Sequence, residues 1–241
     1  MTTLLKTKDL CKHFGGVAAV DKVSLSVQTG EIMGLVGPNG SGKTTVLNML
    51  SGFLKPASGE VWLGDENVTT FSTVQLAHRG LLRMFQMTRV FTRISCFDNL
   101  LVAGMAMGLD EAESGRRAAA LLEELTLSHV QYLDAGSLSG GQRKLLEFGM
   151  CFMQPPRIAL LDEPFAAVHP VMRETMADFI RRRNAQGQTF VLVSHDMPII
   201  IDLCQRAICM NLGRVIAEGP TRAVLESKPV IEAYLGSATH D

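Results

Sequence analysis

IMGLVGPNGSGKTTVLNMLSG, residues 32–52, opens as an unbroken apolar run, passes through glycines at 37, 40 and 42, and resumes with the apolar spacing of a helix that Gly52 ends. The first run has the length of a buried strand. Gly37, Gly42, Lys43 and Thr44 fit G-x-x-x-x-G-K-[ST] in the strand-then-helix context that this pattern requires. Its glycines let successive backbone N–H groups, those of Pro38–Ser41 included where an N–H exists, curl around an anion. The start of the helix adds a positive dipole end worth ~0.3–1 kcal/mol at an exposed site. On this reading Gly37, Pro38, Asn39, Gly40, Ser41 and Gly42 form a phosphate cradle. Lys43 reaches the β- and γ-phosphates of a nucleotide, Thr44 ligates magnesium, and Thr45 supports the α-phosphate.

Upstream, VAAVDKVSLSVQTGEIMGLV (17–36) alternates and then turns wholly apolar, which predicts a half-exposed strand, a turn at Thr29-Gly30 and a buried strand. Downstream, GEVWLGDENV (59–68) predicts a strand pair about a Gly64-Asp65 turn. From about 72 to 152 the stretches STVQLAHRGLL, FDNLLVAGMAM and EAESGRRAAALLEEL all carry helical spacing, with no convincing strand, and predict a helical insert. After Pro155-Pro156 come IALLDEP and TFVLVSHD, separated by the helical VMRETMADFIRRRNAQ that Gly187 ends. Strand, helix, strand in succession argues a parallel sheet with helical crossovers.

A nucleotide cradle needs a further metal ligand and a group to orient water. IALLDEP supplies both at the carboxyl edge of a strand, where ligands of parallel sheets collect. Asp162 is read as a magnesium ligand and Glu163 as the general base or water-orienting residue. His195 ends a second apolar strand at the same edge. A histidine there serves either as a structural hydrogen-bonding residue or, beside a cradle and a DE pair, as a γ-phosphate sensor.

LSGGQRKLLEFGMCFM (138–153) reads as a helix capped by Ser139, with Leu145, Phe148 and Phe152 on one face. It is a second helix start fit for an anion, yet it lies in the helical insert, away from the sheet and its metal ligands. The simplest resolution is that it serves the nucleotide of another copy.

Composition narrows the class further. In 241 residues, 46% apolar, Lys plus Arg (23) and Asp plus Glu (24) cancel, so no basic excess holds a nucleic acid. The five cysteines form no CxxC pair and read as buried thiols of a reducing compartment rather than a zinc site. The N-terminal residues lack a signal pattern, and the longest apolar runs, such as MPIIIDLC (197–204), fall short of the ~20 residues of a membrane span. A soluble cytoplasmic chain is expected.

GPNGSGKTT, Gln86 in RMFQ, LSGGQ, LLDEP and the histidine of SHD follow in the order and spacing of the ATP-binding subunits of ABC transporters, and the chain resembles that family over essentially its whole length. The resemblance implies an α/β fold: a RecA-like P-loop core with an N-terminal antiparallel β subdomain and an inserted α-helical subdomain. Its implied boundaries are 1–86 and 153–226 for the core with its β subdomain, 87–152 for the helical subdomain and 227–241 for a C-terminal tail. It implies ATP and Mg2+ as cofactors, and a head-to-tail pair of ATPases, identical or not. Each nucleotide is then held between one cradle and the partner's Ser139, Gly140, Gly141 and Gln142. It places Phe14 where a ring stacks on adenine, although the residues alone read equally as core, and Gln86 where a glutamine links magnesium and attacking water to the helical insert.

FGGVAAVDKVSL, RMFQ, SHDM and KPVIEAYLG look like the subunits that drive uptake of branched-chain and other hydrophobic amino acids. DEPFAAVHP and the compact insert also resemble a lipopolysaccharide-exporting ATPase, and urea and amide importers share much of the pattern. The implied partners are membrane permeases, engaged through a groove near Met87, Val90 and Phe91 unless those residues are core, and indirectly a periplasmic substrate-binding protein. The implied location is the cytoplasmic face of the inner membrane. Three positions depart from the family's pattern: Ala167 stands where glycine is frequent, His169 where Asn or Asp is common, and Met150 where many relatives carry arginine. Soluble DNA- or ribosome-directed relatives carry a long coiled coil or a second fused ATPase domain, and this chain has neither. A nucleotide-binding pseudoenzyme is disfavoured by intact Lys43, Asp162, Glu163 and His195.

Overall fold

The computed structural model describes residues 2–84 and 89–237, and strand pairing sorts its strands into two sheets. The first holds β1 (Thr3–Phe14), β2 (Val17–Val23), β5 (Ser58–Leu63) and β6 (Glu66–Asn67) in the order β2-β1-β5-β6, with β3 (Ser26–Gln28) also on β1. All its pairs are antiparallel. The second runs β11 (Arg214–Pro220), β10 (Arg206–Asn211), β4 (Ile32–Val36), β9 (Thr189–Val193), β8 (Ile158–Asp162), β7 (Leu81–Met84), parallel throughout except for β11.

The second sheet is covered on both faces, which is why its strands read as continuous apolar runs. Alternate side chains enter different cores. Met33, Leu35, Leu160, Val191 and Val193 join the cluster shared with the first sheet and α1 (Lys43–Leu50). Ile32, Val36, Leu161, Phe190 and Leu192 join the cluster beneath the helices. There α3 (Cys96–Ala106), α4 (Glu111–Glu124) and α5 (Gly140–Cys151) pack on one another and reach α6 (Pro170–Ala185) through an aromatic knot. Phe148 lies 4.9 Å from Phe152 and 5.1 Å from Phe179, Phe152 lies 4.9 Å from Phe179, and Phe190 of β9 closes the group at 6.2 Å. Such ring pairs add ~0.5–1.5 kcal/mol each beyond area burial and fix the helical layer against the sheet.

Four strands have no counterpart in the sequence reading: β1, β7, β10 and β11. β1 carries register shifts near Asp9, whose φ is 47°, so its inward residues do not keep a period of two. It also buries a threonine: the Thr7 hydroxyl donates to the Val23 carbonyl (3.1 Å) and accepts from the Leu25 N–H (3.0 Å). β7 falls within the stretch expected to be free of strands. Its four residues are too short to show alternation, and α2 (Thr73–His78) with its Ser72–Gln75 capping box sets a helical period just before it. The chain then closes through α7 (Met197–Leu203), α8 (Thr221–Leu225) and α9 (Lys228–Ser237). No helix among the described residues is long and apolar enough to cross a membrane.

Candidate nucleotide site

The phosphate loop leaves β4 and folds over the ends of its neighbours. Gly37 and Gly42 have φ of 140° and 104°. A Cβ at Gly37 would lie 2.1 Å from the Met210 carbonyl oxygen, and one at Gly42 would lie 2.4 Å from that of Ala19. Only glycine permits both the conformation and the approach. Helix α1 then starts with no side-chain cap, which leaves its first N–H groups to an anion.

Lys43 is buried, and its ammonium donates to the carbonyls of Gly37 (2.7 Å) and Pro38 (2.8 Å) and to Ser41 Oγ (3.3 Å). Burial lowers its pKa, while the charges of Glu163, Cys209 and Asp162 pull it back up. Asn39, Gly40, Gly42, Lys43, Thr44 and Thr45 line one cavity of about 520 Å³, and Asp162, Glu163 and His195 line the same cavity. Seven of the positions expected around the phosphates thus join the two carboxylates at a single sheet edge once buried Ser41 beneath the loop is counted.

Glu163 follows β8 in the left-handed region, with φ of 52°, a conformation uncommon for a residue with a side chain. Its N–H donates to the Val193 carbonyl at 2.9 Å, which fixes the turn. Oε2 accepts the His195 N–H at 3.4 Å, and Oε1 is buried without a hydrogen-bond partner, 3.5 Å from His195 Nε2. Burial pushes the carboxyl above its ordinary range. The positive end of the His195 interaction and its N–H oppose this, Asp162 reinforces it, and Lys43 opposes it. An orphaned, partly desolvated carboxylate oxygen facing a cavity is what a water-orienting base requires. Asp162 ends β8, and its Oδ2 receives Arg83 Nη2 at 3.1 Å.

The remaining expected residues lie elsewhere. Phe14 ends β1 and is 53% exposed, outside the core and outside the cavity lining. The core alternative for it is therefore not what the fold adopts. Ser139–Gln142 also stand apart from this cavity. Ser139 caps α5 in a reciprocal box, its Oγ accepting the Gln142 N–H (3.2 Å) and its own N–H donating to Gln142 Oε1 (3.0 Å). Gly141 rests on α6, where a Cβ would meet Met172 Sδ at 2.6 Å. Gln86 and Met87 lie outside the described residues. Arg89, the next described residue, donates its N–H to Glu147 of α5 (3.1 Å), itself 3.4 Å from buried Lys144.

Three residues at or around the site carry no signal in a single sequence. Arg83 grips Asp162 from β7. Arg173 lines the cavity while bonding Asp196 (2.6 Å) and the Val168 carbonyl (2.9 Å). Tyr234 reaches the loop from α9. The departures also find places. His169 caps α6, its Nδ1 accepting the Val171 N–H at 3.4 Å, and Met150 lines an apolar groove between β7, α3 and α5.

Ala167 has φ of 57°, so it holds a conformation that disfavours a Cβ by ~1–2 kcal/mol. Glycine relieves this but costs ~0.4–1 kcal/mol of unfolded-chain entropy. Ala167→Gly is therefore expected to raise the melting temperature by about 1–4 °C in a thermal scan; a fall would show that the methyl group makes a contact worth more than the strain.

A strand–loop–helix cradle with its lysine, facing a paired Asp-Glu strand end and a histidine across one cavity, defines a P-loop nucleotide hydrolase. Residues 20–166 match the ABC transporter family. The chain is 34% identical, over 97% of both proteins, to a probable branched-chain amino acid transport ATP-binding protein of Methanocaldococcus jannaschii. It is 36% identical, over 98% of both, to the high-affinity branched-chain amino acid transport ATP-binding protein LivG of Escherichia coli strain K12. Its fold superposes with a TM-score of 0.88 on a crystallographic ADP conformation of an ATP-binding cassette of an ABC transporter, at 33% identity over 98% of this chain and 100% of the other. The protein belongs to the ABC transporter family, and within it to the ATP-binding cassettes that hydrolyse ATP.

Proposed function

We propose that this chain is the ATP-hydrolysing subunit of an importer of branched-chain or other hydrophobic amino acids. The observation that carries the catalytic half is the convergence of Lys43, Asp162, Glu163 and His195 on one cavity. The substrate class rests on the branched-chain transport proteins that match over nearly the whole length. ATP sits with its phosphates on Gly37–Thr45, and Phe14, exposed and beside Lys12, offers its ring to the base.

The hydroxyl of Thr44 and the carboxylate of Asp162, both facing the cavity, are hard oxygen donors that suit Mg2+, with Gln86 completing the set from its segment. A bound Mg2+ supplies neutralisation of the phosphate charge that develops during transfer. Lys43 exchanges its loop carbonyls for phosphate oxygens, Glu163 orients water through its unpartnered Oε1, and His195 senses the γ-phosphate.

The exposed Ser139 and Gly140 belong to the partner's nucleotide, in a closed pair of ATPases, identical or not. The groove of about 400 Å³ between β7, α3 and α5, lined by Phe91, Val102, Met107 and Met150, receives a membrane permease. Val90 packs against the helical core instead, Phe91 lines the groove, and Met87 lies outside the described residues. A periplasmic binding protein delivers the amino acid, nucleic acid is not a partner, and the chain works at the cytoplasmic face of the inner membrane.

Tagged protein recovered from gently solubilised membranes of its own host in Mg-ATP is expected to bring two permeases and an amino-acid-binding protein, identified by mass spectrometry. Lipopolysaccharide-transport partners would overturn the substrate class, and ribosomal or DNA-bound proteins without permeases would overturn the transporter assignment.

A further inference from the structure

The last described helix of the chain touches the first residue of the phosphate loop. Tyr234 of α9 accepts the Gly37 N–H on its hydroxyl at 2.8 Å, across 197 residues of sequence. The Gly37 carbonyl in turn accepts the Lys43 ammonium at 2.7 Å. Gly37 is thus held from both sides, by the tail through its N–H and by the cradle lysine through its C=O. It has little other freedom, since the Met210 carbonyl crowds the place where a side chain would be.

The phenol ring packs against the core under the helices, next to the region of buried Val230, and α9 is therefore docked rather than splayed. Burial pushes the phenol up to about 12, the Gly37 N–H opposes this, and the charges of Cys209 and Glu163 add to it. The group remains a neutral hydroxyl across the working range, within electrostatic reach of the carboxylate assigned as base.

We propose that α9 is a working part of the nucleotide site, in which Tyr234 is a positioning residue that holds the entrance of the phosphate loop through Gly37. When phosphate oxygens take the Lys43 ammonium, the Gly37 carbonyl gives up its donor. The N–H bond to Tyr234 is then the polar tie that keeps the loop's first turn in register. Docking of α9 and nucleotide binding consequently favour each other, and by linkage the coupling is the same read from either end.

The inference rests on the cradle's being the nucleotide site, and the test separates the two. Tyr234→Phe removes one oxygen atom and keeps the ring. Mg-ADP affinity by calorimetry is expected to fall about 3- to 10-fold in this variant, the range of one net hydrogen bond. In the unsubstituted protein Mg-ADP is expected to slow amide exchange in residues 228–237, and in Tyr234→Phe this protection is expected to shrink, with the melting temperature recorded for both. Leu235→Ala, on the exposed side of α9, serves as a control that leaves the affinity unchanged. A lowered melting temperature with unchanged Mg-ADP affinity and undiminished nucleotide-dependent protection would reduce Tyr234 to a packing residue and overturn the coupling. Failure of the unsubstituted protein to bind Mg-ADP would overturn the site assignment and the coupling together.

Discussion

Replacing Glu163 by glutamine is expected to lower steady-state ATP turnover by about 10²- to 10⁴-fold, the range over which a positioned general base acts. Binding of Mg-ATP is expected to survive. The donors that hold phosphate are backbone N–H groups of the loop and Lys43, none of which Glu163 orders by a hydrogen bond; its contacts run to Val193 and His195. The substitution keeps the shape of the side chain and removes a negative charge facing the γ-phosphate, so affinity for ATP is not expected to fall. In a pair that closes on Mg-ATP and reopens on hydrolysis, the variant is also expected to elute as a dimer in Mg-ATP. A variant that turns over at the unsubstituted rate would remove Glu163 from the role of base. A variant that no longer binds ATP would show instead that the carboxylate supports the cradle.

Arg83→Ala is expected to cost about 3–5 kcal/mol of stability, which corresponds to a fall of roughly 6–20 °C in melting temperature for a chain of this size. The Arg83 and Asp162 side chains are 5% and 6% exposed, and the guanidinium also reaches Asn48 Oδ1 (2.5 Å) and Ser51 Oγ (3.1 Å) of α1 and its cap. Burial lowers the arginine's pKa and Asp162 offsets this only in part, so the pair is held together by mutual need more than by surplus Coulomb energy. Alanine would strand a buried carboxylate, which is the costly half of the exchange. Lysine is not expected to rescue, since one point charge cannot serve three acceptors that a planar fork spans. Combining Arg83→Ala with Asp162→Asn should cost less than the sum of the two alone, because the stranded charge is then gone. Additive losses, or a melting temperature within 2 °C of the parent, would deny the pair its structural role.

What could be read from sequence follows from how local each feature is. The cradle is a strand, a glycine loop and a helix in one continuous stretch, and each glycine answers a backbone demand that leaves a mark in the residue itself. Asp162 and Glu163 are legible because an apolar strand ends on them, and the Ser139 cap because Gln142 follows at the spacing of a capping box. β1 is hidden by its bulges and its buried threonine, β7 by its brevity. The grip of Arg83 on Asp162 and the reach of Tyr234 to Gly37 join residues 79 and 197 positions apart, and neither end advertises its partner. Val90 read as groove and packs as core because an apolar residue in a short loop fits both.

The strand order β11-β10-β4-β9-β8-β7 has a bearing on how the chain is made. β4 carries the phosphate loop, yet both of its sheet neighbours are encoded roughly 150 residues later or more, at Thr189–Val193 and Arg206–Asn211. At ~5–20 residues per second of synthesis, the loop's strand waits on the order of 10–30 s on the ribosome with both hydrogen-bonding edges bare. Helices α3 to α5 emerge meanwhile and have one another to pack on. Nascent chains stalled before residue 189 should therefore be unable to retain nucleotide, and the fragile interval in this protein's life is that wait, when a premature stop leaves an apolar strand open to its neighbours.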